Sequence, residues 1–227
     1  MVKEQVFFYC REIYRYRKTR HVMGLKKATD VFSDWAKMGK DVGMEEGHAA
    51  SVSVMLEQAS NLMGKPFKAI DIGCGNGWVV RKLRSFDSCV HASGIDGAEE
   101  MIAKARLTDS EGEYIHAQLP GWNPEEKFDL VMSMEFMYYL ENPKQFLRNI
   151  FTDWMVPGGW LIFGIDHYTE NESSHSWPEK LNVHMTTMSE EEWQESLREI
   201  GFVNVNSFRA GTKDDWAGTL ILIAQAK

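Results

Sequence analysis

The chain has 227 residues, 44% of them hydrophobic and 12% aromatic, enough for one globular domain with a sizeable core and unlike a disordered chain. Its net charge of −8 argues against broad adhesion to nucleic acid or to a membrane surface. Cys10, Cys74 and Cys89 form no C-x-x-C pair, no apolar run is long enough for a membrane span or signal peptide, and reduced thiols in a cytoplasmic protein are expected.

Residues 1–27 interleave Arg11, Arg15, Arg17 and Arg20 with Phe7, Phe8, Tyr14 and Tyr16. Two readings are open, a basic-aromatic arm for nucleic acid or membrane and an N-terminal helix packing its aromatics on the domain. The acidity of the remaining chain favours the second. From Asp30 the chain passes Trp35, Met38 and Met44, and a helix is predicted from about Glu45 to Met63 with Val52, Met55, Leu56 and Ala59 on one face. Gly39, Gly43 and Gly47 fit a flexible cover.

Phe67 to Ile72 reads as a short, buried parallel strand, and Trp78 to Phe86 as a helix with Val79, Val80 and Leu83 inward. Between them lies Asp71-Ile72-Gly73-Cys74-Gly75-Asn76-Gly77. Strand, glycine loop and helix form a nucleotide site at the carboxyl end of a parallel sheet. A dinucleotide fingerprint reads G-x-G-x-x-G and places pyrophosphate at the helix N-terminus. Here the third glycine comes one residue early, and Asp71 would repel a pyrophosphate while suiting an ammonium.

This segment closely resembles motif I of the class I S-adenosylmethionine-dependent methyltransferases, in their small-molecule branch. The resemblance implies a Rossmann-like α/β fold with a seven-stranded sheet of order 3-2-1-4-5-7-6, its last strand antiparallel, between helices. It implies a single domain over 1–227, with a helical lid over 1–64, a core over 65–227 and an acceptor-side insertion over 166–188. It implies S-adenosylmethionine as cofactor, with Asp71, Gly73, Cys74, Gly75 and Gly77 around its methionine end. Trp35, Met38, Met44 and His48 would then line the site from the lid, or would simply be core.

A second strand is predicted from Cys89 to Ile95, ending at Asp96. Asp96 follows Gly73 at close to the roughly 20-residue interval of a ribose-binding acid. Gly94-Ile95-Asp96-Gly97 resembles motif II, so Asp96 and Gly97 are expected at the ribose; alone, Asp96 could equally cap the helix predicted over Ala98 to Leu107. A third strand, Glu113 to Ala117, leads into Gln118-Leu119-Pro120. The family contacts adenine here, commonly through an acid and a hydrophobic residue; Gln118 and Leu119 stand in those places, and Trp122 lies close behind.

Lys127 to Met134 resembles the family's fourth strand, with Met134 at the cofactor and Glu135, Tyr138 and Tyr139 following where methyl group and acceptor would meet. Glu135 orients an acceptor, takes a proton, or caps a helix; the tyrosines offer cation–π support. The Asp-Pro-Pro-Tyr motif of adenine and glutamine amino-methylation is absent. Pro143 to Met155 is predicted helical, and Pro157-Gly158-Gly159 resembles the family's turn into strand five.

Strand five ends at Asp166-His167-Tyr168, followed by His175 and Trp177. By resemblance this segment forms an acceptor pocket lined by Tyr138, Tyr168 and Trp177, with His167 or His175 as a base titrating near neutrality; both histidines could also be incidental. His167, Glu170, Glu172 and His175 lack a compact ligand spacing, so no metal is expected. Ser189 and Glu192 form a capping box for a helix to Ile200, and Phe202 to Phe208 and Ala217 to Ala226 are the last strands.

The implied activity is methyl transfer to an N, O or S atom of a small molecule, with no nucleic-acid or membrane partner. Three rivals stand beside it. They are a nicotinamide-dependent oxidoreductase, a non-catalytic module binding a partner through the basic arm, and a methyltransferase acting on protein or RNA.

Overall fold

The computed structural model describes residues 24–213 and 215–227; Cys10 and the basic stretch up to residue 23 lie outside them. Helices α1 (Ala28–Lys37) and α2 (Asp41–Leu62) precede the sheet. Then follow β1 (Phe67–Ile72), α3 (Trp78–Arg84), β2 (Cys89–Asp96), α4 (Glu99–Thr108), β3 (Glu113–His116) and β4 (Phe128–Met134). The chain closes with α5 (Pro143–Asn149), β5 (Met155–Ile165), α6 (Trp177–Leu181), α7 (Glu190–Ile200), β6 (Val203–Ala210) and β7 (Thr219–Gln225).

The seven strands form one sheet of order β3-β2-β1-β4-β5-β7-β6, as the motif-level resemblance implied. β1 to β5 are mutually parallel, and β7 runs antiparallel to both β5 and β6. The two-residue period of a strand divides the core. Ile70, Ile72, Val131, Leu161 and Phe163 join a cluster with Phe146 of α5 and Trp193 and Leu197 of α7. Their alternates Phe67, Ala69, Leu130, Met132 and Ile162 join Val52 and Met55 of α2, Val80 of α3 and Ile102 of α4. Each fully buried Leu, Ile or Phe contributes roughly 1.5–3 kcal/mol, so two filled faces fix the sheet and its register together.

Two predicted elements change shape. The helix expected to reach Met155 ends at Asn149, and a wider π turn spans Ile150–Trp154. That turn carries Trp154 into the core, where its indole N–H donates to Asn123 Oδ1 at 3.0 Å and its ring meets Phe146 and Trp122 edge-on. Pro157-Gly158-Gly159 lies within β5 as an irregularity in its pairing with β4, with Gly158 at φ +81°. The capping box of α7 forms as expected. Among the described residues no helix is long and apolar enough to cross a membrane.

The parallel registers align one edge of the sheet. Ile72 lies beside Ile95 on one side and Ser133 on the other, and Met134 lies beside Gly164. The chain therefore leaves β1, β2, β4 and β5 at the same edge, through the glycine loop, Asp96, Glu135 and Asp166. This is where an open parallel sheet places its ligand.

Candidate active site

The glycine loop is held from within. Gly73 and Cys74 N–H donate to Ile95 O, Gly75 N–H to Asp96 Oδ2, and Gly77 N–H to Cys74 O. Amides spent in this way leave little to hold a phosphate. Gly73 and Gly77 have φ of +72° and +78°, and a Cβ would meet Phe136 at 2.8 Å on the first and Tyr114 at 2.3 Å on the second. Both are glycine because conformation and close packing leave no room for a side chain. The Cys74 side chain is 3% exposed and packs against Gly94, and burial pushes its thiol pKa well up. Its Sγ lies 3.8 Å from Gly75 O, within the loop.

Asp71 and Asp96 set the charge. Asp71 is buried, and desolvation followed by the charge of Asp96 pushes its pKa well above the usual aspartate value. Asp96 is raised by burial too, against the pull of two backbone donors, Ala98 N–H at 2.7 Å and Gly75 N–H at 2.9 Å. Both readings of Asp96 are therefore realised in geometry: it braces the turn into α4, and each oxygen retains a second lone pair. Beside it, the Gln118 amide donates to Gly97 O at 3.0 Å, and a Cβ on Gly97 would strike Thr29 of α1 at 2.6 Å. Leu119 is half-buried, and Met134 lies against Gly164.

The N-terminal helices lie over this edge. Ala36 of α1 packs with Ala98 and Met101, and Phe32 meets Trp35 and Tyr139 edge-on at 5.5 and 5.4 Å. Met38, expected in the site, is 64% exposed beyond the end of α1. Sequence reading passed over Asp41, the first residue of α2. Its carboxylate accepts from Lys104 Nζ at 2.5 Å and from Asn76 Nδ2 at 3.2 Å. An acid at a helix start beside a glycine-rich turn was the only available signal.

Across the edge, Glu135 has a positive φ of 57°, unusual for a residue with a side chain. Its Oε1 accepts from Asp166 N–H at 2.5 Å and its Oε2 from the Tyr138 hydroxyl at 2.6 Å; Tyr139 Oη lies 3.3 Å from that hydroxyl. Burial and then the Asp166 charge push Glu135 well up; burial raises Asp166 against the pull of His48 and the Thr219 hydroxyl. His48 Nε2 stands 3.7 Å from Asp166 Oδ2. Asp166 was named in sequence only as a strand end, yet it joins Glu135 and His48.

The segment after β5 divides. His167 is 1% exposed, with Nδ1 3.2 Å from Ser174 O and Nε2 2.8 Å from Thr187 Oγ1, so both ring nitrogens are engaged. Burial lowers its pKa. His175 lies at the surface with Nε2 2.9 Å from Thr169 O. Tyr168 is fully buried, its hydroxyl donating to Gly218 O at 2.9 Å under the Arg209 guanidinium. Trp177 is half-buried and stacks on Trp216 at 6.3 Å. Thr186 N–H donates to Tyr138 O at 2.7 Å, which fastens this segment over the loop carrying Glu135.

Comparison with known proteins gives a consistent picture. A family model described as a methyltransferase domain matches residues 26–207. The malonyl-(acyl-carrier protein) O-methyltransferase of Bacillus cereus is 28% identical over 123 residues, 53% of this chain and 45% of that protein. The chain spans about half the length of the first curated relatives it matches. A chain of the complex between the Haloferax volcanii Trm112 methyltransferase activator and a methyltransferase is 28% identical, with a TM-score of 0.74 over 86% of this chain and 97% of that one. The N-methyltransferase NodS of Bradyrhizobium japonicum, solved with S-adenosyl-L-homocysteine, is 19% identical and shares the fold with a TM-score of 0.60, covering 78% of this chain and 85% of that one.

Proposed function

The chain belongs to the class I S-adenosylmethionine-dependent methyltransferase family, whose cofactor is S-adenosylmethionine, and on that premise we propose that it moves a methyl group to an N, O or S atom of a small-molecule acceptor. One observation carries the cofactor half of this reading. Buried Asp71 and half-buried Asp96 place two carboxylates, with no Lys or Arg paired to either among the ion pairs of the described residues, at a glycine loop whose amides are already engaged. Such a site suits a cationic ligand and opposes a pyrophosphate, so the residues fit this cofactor and disfavour a dinucleotide.

In this reading Asp71 binds the methionine ammonium, and Gly73, Gly75 and Gly77 admit that end to the backbone. Asp96 accepts from the ribose hydroxyls through its remaining lone pairs, beside Gly97. Gln118 and Leu119 meet the adenine, and Met134 borders the cofactor. The bound cofactor supplies a methyl group on an intrinsically reactive sulfonium. The protein's own task is positioning and exclusion of water. Tyr139 and Glu135 face the acceptor, with Phe32, Trp35 and His48 covering it from the lid. With both nitrogens engaged, His167 fixes the loop over the pocket, together with Tyr168; His175 and Trp177 stand at its rim. The division into lid, core and acceptor-side segment 166–188 follows the same assignment.

An acceptor screen tests this reading: formation of S-adenosylhomocysteine is followed with amines, phenols, carboxylic acids and thiols. Turnover that depends on one class and falls at least about tenfold in Glu135→Gln supports it. Tight cofactor binding with no turnover on any small molecule contradicts it. A second reading, a methyltransferase completed by a partner chain, is favoured by the Haloferax complex. Turnover or solubility that appears only on co-expression with a Trm112-type activator would support that one.

A further inference from the structure

Three side chains from distant parts of the sequence converge beside the acceptor edge: His48 of α2, Glu135 after β4 and Asp166 after β5. One donor atom of each lies within 4.8 Å of the other two. Around a divalent first-row ion, ligand atoms about 2.1 Å from the metal stand roughly 3 Å apart when adjacent and about 4.2 Å apart when opposite. The cluster is close to that size without rearrangement of the backbone.

A separate observation gives the cluster a vacancy of bonding. Asp166 is 5% exposed and its Oδ1 is buried with no hydrogen bond at normal distance; the nearby Thr219 hydroxyl, which draws its pKa down, is itself held by the Ser51 hydroxyl at 2.7 Å. The other Asp166 oxygen faces His48 at 3.7 Å. An orphaned carboxylate oxygen in a buried position is costly unless a donor or a cation meets it. Glu135 is compatible with the same ligand, because Asp166 N–H and the Tyr138 hydroxyl use one lone pair on each of its oxygens and leave one on each. No neighbouring Lys or Arg is paired with Glu135 or Asp166 among the ion pairs of the described residues.

We propose that His48, Glu135 and Asp166 bind one divalent first-row metal ion of the Mn²⁺ or Zn²⁺ class. One imidazole with two carboxylates suits these ions better than Mg²⁺, which prefers an all-oxygen shell, or soft Cu⁺. The ion balances two carboxylates that otherwise repel each other in a buried space. Three protein ligands leave coordination positions open, and His48 is part-exposed on the lid side. Those positions select an acceptor that brings a lone pair to the metal next to Tyr139. That role for the ion rests on the methyl-transfer reading; the binding of the ion does not.

Manganese titration of the whole chain, followed by the electron paramagnetic resonance signal of free Mn²⁺, tests the proposal. S-adenosylhomocysteine affinity is measured on the same samples to report folding and the cofactor half separately. Expected are one saturable Mn²⁺ per chain, displaced by Zn²⁺, and a loss of affinity of at least about tenfold in each of Glu135→Gln and Asp166→Asn. Spin-echo modulation from one imidazole nitrogen, present in the wild type and absent in the part-exposed His48→Ala, gives a readout that needs neither carboxylate variant. Wild-type protein that binds S-adenosylhomocysteine but no saturable Mn²⁺, or that binds Mn²⁺ without nitrogen modulation, overturns the site. Saturable binding left unchanged by all three variants overturns it as well.

Discussion

The Lys104 ammonium lies 2.5 Å from the Asp41 carboxylate and so joins α4 to the first residue of α2. The other Asp41 oxygen accepts from Asn76 in the glycine loop. α2, the glycine loop and α4 therefore meet at one nearly buried carboxylate. The position of α2 and the shape of the glycine loop are thereby tied together.

Lys104→Met removes one partner and leaves Asp41 with Asn76 alone. Because Lys104 is 35% exposed, the expected loss is nearer a partly screened pair than a buried one, about 1–2 kcal/mol. Urea unfolding measures it. S-adenosylhomocysteine affinity is expected to fall several-fold in the same variant, since α2 loses its tie to α4 and holds the loop through Asn76 alone. Unchanged stability and affinity would show that the lid docks by its apolar contacts.

The same carboxylate gives a pH dependence. Burial raises the Asp41 pKa, but the Lys104 and Asn76 hydrogen bonds outweigh it, and the net shift is downward. A depressed folded-state pKa means that the unfolded chain binds the proton more readily. The stabilisation is thus fully present above the ordinary aspartate value of about 3.9 and is lost as pH falls through the lower folded value. Unfolding free energies of wild type and Asp41→Asn, compared from pH 7 down to pH 3, are expected to differ less at the acid end.

Gly77→Ala is expected to damage the fold. The residue has φ +78°, and the added Cβ would lie 2.3 Å from the Tyr114 ring. That ring cannot simply swing away, because its hydroxyl donates to Asp109 at 3.0 Å. Strain and displacement together should cost about 2–4 kcal/mol, visible as a lowered denaturation midpoint.

Asp96 separates structure from binding. Asp96→Ala removes the carboxylate acceptors of the Gly75 and Ala98 N–H groups, for about 1–3 kcal/mol of stability, and is expected to weaken cofactor binding at least about tenfold. Asp96→Asn keeps one acceptor oxygen and should recover part of the stability but little of the ribose affinity. Equal affinity in all three proteins would remove Asp96 from the ribose.

The cofactor half was legible in sequence because its chemistry is local. Asp71 and the three glycines lie within seven residues, and the βαβ rhythm fixes where Asp96 must stand. Sheet order followed from the same motifs. The acceptor half was not legible, because its geometry is tertiary. His48, Glu135 and Asp166 are far apart in the chain and meet only when strands end in register. His167 and His175 looked alike as neighbouring histidines, and only burial and hydrogen bonding distinguish the engaged ring from the exposed one. Trp35 and Met38 likewise stood three residues apart in one stretch; Trp35 packs on Phe32 within α1, while Met38 lies past the helix end at the surface.

The most direct test is calorimetric titration with S-adenosylmethionine and S-adenosylhomocysteine, with NAD as the control and Asp96→Ala alongside. Both adenosyl ligands are expected to bind in the micromolar range, on the order of −8 kcal/mol, with no response to NAD and weakened binding in the variant. Binding of NAD, or no binding of either adenosyl ligand, would contradict the cofactor assignment.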